Sequence, residues 1–152
     1  MHFKANTAAT ILAYASSALG STILANNLCK EDLWFTPVNG SQATPGPYKV
    51  SSGLETAMPI EGVGNSLGVT KTEEYWSPNT PKLILGTSTS KGILYWSVSN
   101  VDGDPFAGES FNITGCESAE GYDEKVHACT DGGFTLSIDL CSHNAVRLLS
   151  IL

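Results

Sequence analysis

Three side chains that carry oxygen ligands stand at alternate positions in one short segment: Asn100, Asp102 and Asp104. Calcium ions prefer carboxylate and amide oxygens of this kind. A calcium-binding EF-hand loop that began at Asn100 would need a bidentate acid at its twelfth position, which holds Phe111. The same side chains suit a turn, because they accept local backbone hydrogen bonds and Gly103 permits a positive φ. The segment therefore predicts a turn, and we expect no bound metal.

Residues 64–68 match the G-x-S-x-G pattern that surrounds the serine nucleophile of many hydrolases. Ser66 would be the nucleophile and Asp102 the acid. His127 or His143 would serve as the base. Such an elbow needs a helix after the serine, whereas the residues that follow favour a strand. We therefore interpret the segment as a glycine-rich loop and expect no enzyme activity.

Aromatic side chains are numerous enough to form a platform for sugars. They are Trp34, Tyr75, Trp76, Tyr95 and Trp96. In a small domain such rings more often belong to the core. A glycosidase would need two carboxylates roughly 5 to 10 Å apart across a cleft. Five acids lie between Glu117 and Asp131, where a solvated acidic loop is the favoured interpretation.

The composition describes one acidic globular domain. The chain has 152 residues, of which 41% are apolar and 15% charged. It can therefore bury a core, and it lacks the high charge of a disordered chain. Eight basic and 15 acidic residues give a net charge of −7. Phosphate backbones repel a negative domain, which argues against a nucleic-acid partner.

Residues 1–20 have the pattern of a secretory signal peptide. Lys4 gives the basic start, residues 8–19 are small and apolar, and Gly20 would precede the cut, with cuts after Ala15 or Ala18 as alternatives. The apolar stretch is too short to span a bilayer. We therefore expect a secreted, extracellular domain of residues 21–152.

The four cysteines are Cys29, Cys116, Cys129 and Cys141. An even number in an oxidising compartment indicates two disulfides, for which three pairings exist. We favour Cys116–Cys129 as a local link and Cys29–Cys141 as a link between the start and the end of the domain. Zinc is not favoured, because no Cys-x-x-Cys pair is present.

Two sequons fit the same compartment, and they predict glycosylation at Asn39 and Asn112. Asn39 lies in a turn-like stretch, which makes it the better acceptor. The tail after Cys141 is too short for a lipid-anchor signal, so no membrane anchor is expected.

Strand signals are common along the mature chain and helix signals are scarce. The predicted strands cover residues 22–26, 33–38, 48–51, 54–58, 67–72, 82–87, 93–99, 109–114 and 134–138. Residues 88–92 form a polar connection that ends in glycine, which predicts a hairpin. For residues 117–128, which lie between two cysteines, we predict a loop that leaves the sheets and contains one helical turn. Short strands separated by turns are typical of a β-sandwich.

One segment resembles a known family. Residues 96–103, Trp-Ser-Val-Ser-Asn-Val-Asp-Gly, resemble the YDVSLVDG strand and turn of thaumatin-like proteins. The longer segment 94–108 resembles the small secreted fungal proteins of the Bys1 (Blastomyces yeast-phase-specific) family. The layout from Ser21 to Cys141 is also similar, with a strand after the signal that leads into Asn-Asn-Leu-Cys.

The resemblance implies an all-β, thaumatin-like antiparallel β-sandwich with two disulfides, secreted by a fungus. It also supports a bond between Cys29 and the last cysteine. Plant thaumatin-like proteins carry an acidic cleft linked to β-1,3-glucan binding. Asp102 matches one acid of that cleft, but Ser97 and Leu85 stand at the positions of two others. The resemblance therefore implies no retained glucanase site.

These observations together predict a secreted, non-enzymatic interaction protein: an effector, an antigen or a cell-wall-associated factor. We expect a monomer without a cofactor, and a host protein or a wall polysaccharide as its partner. The alternative is β-1,3-glucan binding, or weak glucan hydrolysis, at a cleft near Asp102. The residues predicted to bind a ligand are Asp102, Asp104, Trp34 and Trp96.

Overall fold

The computed structural model describes residues 20–41, 45–130 and 133–142, which form eleven β-strands. The strands are β1 (Thr22–Asn27), β2 (Leu33–Val38), β3 (Tyr48–Val50), β4 (Glu55–Pro59), β5 (Asn65–Thr70), β6 (Lys82–Ser90), β7 (Ile93–Val101), β8 (Phe111–Thr114), β9 (Ser118–Glu120), β10 (His127–Thr130) and β11 (Thr135–Leu140). Residues 1–19 of the predicted signal peptide lie outside the described residues.

The strands form two sheets that pack face to face. The five-stranded sheet has the order β4-β1-β11-β8-β9, and the six-stranded sheet has the order β10-β7-β6-β5-β2-β3. All pairs in these sheets are antiparallel except β1 with β11, which run parallel with Thr22 opposite Thr135. The predicted all-β sandwich with two disulfides is confirmed.

The core lies between the sheets and follows from the two-residue period of the strands. In β7, Leu94, Trp96 and Val98 are buried while Tyr95 and Ser99 are exposed. Successive side chains of a strand point to opposite faces, so one face of β7 packs inward. The buried residues of β1 and β11 alternate in the same way. Trp96, only 1% exposed, is among the largest side chains in this core.

The hairpin between β6 and β7 is tighter than the sequence predicts. The sequence indicates a connection over residues 88–92, but β6 continues to Ser90 and leaves only Lys91 and Gly92 between the strands. Their φ values are 51° and 72°. Two-residue turns with positive φ at both positions match the right-handed twist of the strands, which is why this turn allows the longer pairing.

The helical turn predicted within residues 117–128 is wrong, because the structure has the strands β9 and β10 there instead. β9 pairs with β8, and β10 pairs with β7. Each strand has only three or four residues. Such short strands show no clear alternation in sequence and form because a partner strand lies beside them.

Both predicted disulfides are present in the structure. Cys29–Cys141 joins the residues that follow β1 and β11, two neighbouring strands of the five-stranded sheet. Cys116–Cys129 joins the β8–β9 connection to β10, which belongs to the other sheet. One side of the sandwich is therefore closed by a covalent bond from the β8–β9 connection of one sheet to the edge strand β10 of the other.

His127 reinforces this closed side. Its ring stacks on Trp96 with 3.9 Å between centroids, and its two nitrogens face two carboxylates. Nδ1 lies 2.7 Å from Glu117 and Nε2 lies 2.8 Å from Asp123. Burial raises the pKa of Asp123, but the backbone N–H of Lys125 and the ring of His127 outweigh it and hold that pKa below its ordinary value. The ring therefore ties the segment between β9 and β10 to the core.

We expect the two disulfides to contribute unequally to stability, because a bond that closes a longer loop restricts the unfolded chain more. Replacing Cys29 and Cys141 by serine should lower the free energy of unfolding by about 4–5 kcal/mol, against about 3 kcal/mol for Cys116 and Cys129. Urea unfolding of the two double variants checks this. A larger loss in the Cys116/Cys129 variant would contradict it.

We expect Asp123 to make the protein sensitive to acid. A carboxyl group whose pKa is lowered by folding stabilises the protein fully above its unfolded pKa, about 4, and this stabilisation is lost as the pH falls through the folded pKa. Asp123→Asn should therefore be less stable than the wild type at pH 7 and should lose less stability below pH 4. Thermal unfolding between pH 7 and pH 2 measures both, and parallel profiles would refute the expectation.

Candidate functional site

The turn after β7 brings Asp102 to the start of β6. Lys82 opens β6 and lies opposite Val101, the last residue of β7. Asp102 follows with a φ of 58°, and Gly103 with a φ of 111°. This left-handed backbone turns the Asp102 carboxylate toward Lys82, and Nζ lies 2.8 Å from Oδ2. The predicted turn chemistry is thus combined with an ion pair.

The Lys82 ammonium is buried, with 7% of the residue exposed, and all three of its N–H groups find acceptors. Besides Asp102 it donates to the carbonyl of Ser77 at 3.0 Å and to the carbonyl of Thr80 at 2.7 Å. A buried charge is costly unless it is paired and hydrogen-bonded, as it is here. Asp102 is therefore the counter-ion of a buried lysine that holds the loop before β6.

Asp104 is engaged in a different way. Its Oδ1 accepts the backbone N–H of Phe106 at 2.8 Å and the hydroxyl of Tyr122 at 3.0 Å. Burial, together with the adjacent Asp104 carboxylate, raises the pKa of Tyr122 far above its ordinary value. Tyr122 therefore stays protonated and keeps donating to Asp104. The turn holds both acids through structural hydrogen bonds.

The structure does not bring the four predicted ligand-binding residues together. Asp102 and Asp104 share a turn, but Trp34 is half-buried on β2 between Lys49 and Thr70 of the neighbouring strands. Trp96 packs in the core and cannot touch a ligand at the surface. Its assignment as a binding residue is corrected, because the two-residue period of β7 turns it inward.

The loop of residues 71–81, between β5 and β6, presents Trp76, one of the aromatic rings that the sequence predicts as core residues. Trp76 is 64% exposed, whereas the preceding Tyr75 is buried. The two rings meet edge to face with 4.8 Å between centroids. A signal existed in the sequence, since a glycine inside a strand marks a close approach, and Tyr75 packs on Gly68 of β5.

Ser66 does not form a nucleophile elbow. The structure places it inside β5, paired with Gly86 of β6, and no helix follows it in the described residues. His127 has both ring nitrogens engaged by Glu117 and Asp123. The G-x-S-x-G match is therefore a coincidence of strand sequence, and His143 lies outside the described residues.

A row of acids and amides crosses the outer face of the five-stranded sheet. Glu55, Asn26, Asp139, Asn112 and Glu120 are cross-strand neighbours in that order. Neighbouring strands are roughly 5 Å apart, so the row extends roughly 20 Å. Asn26 donates to Asp139 at 2.6 Å, which fixes its centre. Part of the row lines a cleft of about 630 Å³. The carboxylates of the row give this face a negative charge.

The second cleft, of about 670 Å³, opens at the side of the sandwich opposite the Cys116–Cys129 bond. It lies beside the edge strands β3 and β4. Its lining includes Tyr48, Met58, Pro59 and Val63, with Asn39 on the same wall. The cleft is mainly apolar and offers room for a small ligand or an extended side chain.

One further cluster has the donor atoms of a metal site without being free to bind metal. Cys29, Cys141 and Glu109 lie close together, but the two sulfurs are joined to each other. Glu109 also pairs with Lys71, whose Nζ lies 2.7 Å from Oε1. The carboxylate therefore serves an ion pair.

In the described part of the chain, no helix has the length and apolar character needed to cross a membrane.

We expect Lys82→Met to destabilise the protein by about 2–4 kcal/mol, because the carbonyls of Ser77 and Thr80 and the Asp102 carboxylate would lose their donor. Asp102→Asn should cost less, since it removes the counter-charge but keeps an acceptor oxygen and the shape of the side chain. Urea unfolding measures both. Lys30→Met, at an exposed position, is the control, and an equal loss in that variant would contradict the assigned role.

Comparison with known proteins assigns this chain to a family. The Bys1 family, described as Blastomyces yeast-phase-specific protein, matches residues 9–142. A search of curated proteins found no match.

Two solved structures share the fold. The protein elicitor MoHrip2 from Magnaporthe oryzae is 19% identical with a TM-score of 0.68, over 80% of this chain and 98% of that chain. The thaumatin-like xylanase inhibitor TLXI is 11% identical with a TM-score of 0.60, over 78% of this chain and 98% of that chain. Since the family match also covers most of the chain, the protein belongs to the Bys1 family and has a thaumatin-like β-sandwich fold.

Proposed function

We propose that this protein is a secreted, non-enzymatic interaction protein that acts outside the cell by binding a host protein or a wall polysaccharide. The observation that carries the proposal is the state of the two acids that were predicted to bind a ligand, Asp102 and Asp104. Asp102 is the counter-ion of buried Lys82, and Asp104 accepts two hydrogen bonds. Carboxylates engaged in this way are poorly placed to act as the acid and base of hydrolysis.

The extracellular location rests on three supports. Residues 1–20 have the signal-peptide pattern. Two disulfides link the described domain, as is usual for secreted chains. The two proteins of known structure with the same fold are named a protein elicitor and a xylanase inhibitor. A role as an effector, an antigen or a wall-associated factor follows from the same supports.

Glycosylation at Asn39 and Asn112 belongs to this proposal. Asn39 is exposed, and its Oδ1 accepts the Ser41 hydroxyl at 2.7 Å. Asn112 lies on the outer face of β8 but is only half-exposed, between its cross-strand neighbours Asp139 and Glu120. Asn39 is therefore the favoured acceptor.

A second candidate function is carbohydrate binding without hydrolysis. Exposed Trp76 favours it, because indole faces stack on the C–H faces of sugar rings. β-1,3-Glucan is one polymer to test, given the plant proteins of this fold. In that case the binding site would lie on the loop of residues 71–81 and not at Asp102.

We expect the purified mature protein to release no product from soluble β-1,3-glucan, xylan or p-nitrophenyl esters. In the same preparation it should bind a partner. One arm measures retention on insoluble β-1,3-glucan, chitin and cellulose. The other captures proteins from host extracellular fluid, identifies them by mass spectrometry and repeats the binding with each purified protein.

Turnover that persists after repurification and is lost in Asp102→Asn or Ser66→Ala would overturn the non-enzymatic proposal. Binding to neither polymers nor purified host proteins would overturn the interaction function. Heat-unfolded protein serves as the control for non-specific adsorption in both arms.

A further inference from the structure

We propose that the outer face of the six-stranded sheet around Gly86 is a contact surface for another protein, which inserts one apolar side chain into the hollow that Gly86 lines. This inference rests on the proposed interaction function and names the surface and the kind of partner. Three features of the molecule support it: a face without charge, a hollow in that face, and a glycine that the fold does not require.

The outer face of β6 and β7 is free of charge. Side chains of Leu85 and Val98 point into the core, so their neighbours along the strands point outward. From residue 84 to 90 and from residue 93 to 99, every outward-facing residue is uncharged. The centre of the face consists of two cross-strand rows, Ser66–Gly86–Ser97 and Ser88–Tyr95–Ala128.

This absence of charge contrasts with the rest of the molecule. The chain has 15 acidic residues and a net charge of −7, and a row of acids crosses the outer face of the opposite sheet. Charged residues are depleted at the core of protein interfaces, where tyrosine is enriched. Tyrosine, serine and glycine are also the residues with which antibody paratopes contact proteins. The face around Tyr95 therefore has the composition of a protein contact surface.

A hollow of about 260 Å³ lies in this face, and its lining includes Tyr95, Val126, Gly86 and Ser97. Tyr95 is 37% exposed and Val126 is 71% exposed. Among the described residues, none that line the hollow is charged. Pockets that hold small molecules have roughly 300–1,000 Å³, so this hollow suits one side chain. A charged group buried there would lose its hydration without meeting a counter-ion, so the inserted side chain is apolar.

Gly86 is a glycine that the fold itself does not need. It lies in the middle of β6, a strand of nine residues, where a glycine weakens the strand. Its φ is not positive, and a Cβ would come no closer than 3.6 Å to the Oγ of Ser97, which is an ordinary contact. Gly68 differs, because a Cβ there would overlap the ring of Tyr75. An interior glycine without such a cause marks a place where a partner approaches the strand closely.

Both sides of the hollow are held in place by the fold. On one side, the backbone N–H of Gly64 donates to the Oγ of Ser88 at 2.9 Å, which ties the residues before β5 to β6. On the other side, Val126 directly precedes His127, whose ring stacks on Trp96. Ordering a binding surface costs conformational entropy, and this surface is ordered before a partner arrives.

The partner is a different protein and not a second copy of this chain. Two copies with a net charge of −7 repel each other, and such a charge keeps proteins monomeric. An uncharged face is complementary to a contact surface that is itself uncharged, because a charge placed against it would be desolvated without compensation. We therefore expect a partner surface of uncharged groups around one protruding aliphatic or aromatic side chain.

The test uses, as probes, the purified host proteins that bind the wild type in the capture experiment of the proposed function. Gly86→Val fills the hollow and should weaken binding about tenfold or more. Its melting temperature should equal or exceed that of the wild type, because valine favours strands and the Cβ has room. Weaker binding without weaker folding separates a blocked contact from a damaged domain.

Tyr95→Ala is a second variant that does not depend on how the strand tolerates valine. It removes part of the lining of the hollow and should also weaken binding about tenfold. The matched control is Ala57→Val, which enlarges an exposed strand residue of the other sheet. This variant should bind like the wild type.

Wild-type affinity in both Gly86→Val and Tyr95→Ala would overturn the contact surface and leave the interaction function standing. Binding of the wild type to polysaccharides alone would also overturn it, because the partner would then not be a protein. Sedimentation should show a monomer, and a dimer that Gly86→Val dissociates would overturn the choice of partner. Binding to neither polymers nor purified proteins would overturn the interaction function itself, so the failures are distinguishable.

Discussion

The hydrogen bonds of one buried ammonium group, that of Lys82, hold together the part of the molecule that contains Asp102 and Trp76. Lys82 is the first residue of β6, and its three N–H groups reach the turn after β7 and two carbonyls of the preceding loop. Because the acceptors come from the loop and from the turn while the donor belongs to β6, the loop, the turn and the strand keep one relative arrangement. The exposure of Trp76 and the engagement of Asp102 are both consequences of this arrangement.

The sequence predicts the fold well wherever the signal is local. The crowded apolar residues of β7 and the short polar connection before it lead directly to the central hairpin. The disulfide pairs also follow from cysteine spacing and family layout. β9 and β10 escape prediction because they are short and depend on partners distant in the chain. Local patterns cannot reveal a strand that forms only beside another.

The candidate site is harder to predict than the fold, and particular residues show why. Asp102 has the type and context of a ligand-binding acid, but its partner Lys82 is recognisable only once β6 and β7 are paired. Trp96 and Tyr95 are adjacent aromatics, and the face of the strand decides which one is buried. Trp76 follows a tyrosine whose place on Gly68 appears only in the packed sheet. Each role depends on a non-local contact.

The parallel pair β1–β11 has a consequence for how the chain is made. β1 is the first described strand and β11 is the last, yet they are neighbours, and β1 lies between β11 and β4. During vectorial synthesis, β1 can pair only with β4 until more than a hundred further residues have emerged. Five of the six strands of the other sheet, β2, β3, β5, β6 and β7, are complete by Val101 and can assemble earlier. The five-stranded sheet is therefore completed only once β11 has been synthesised, and the Cys29–Cys141 bond can form only at that stage.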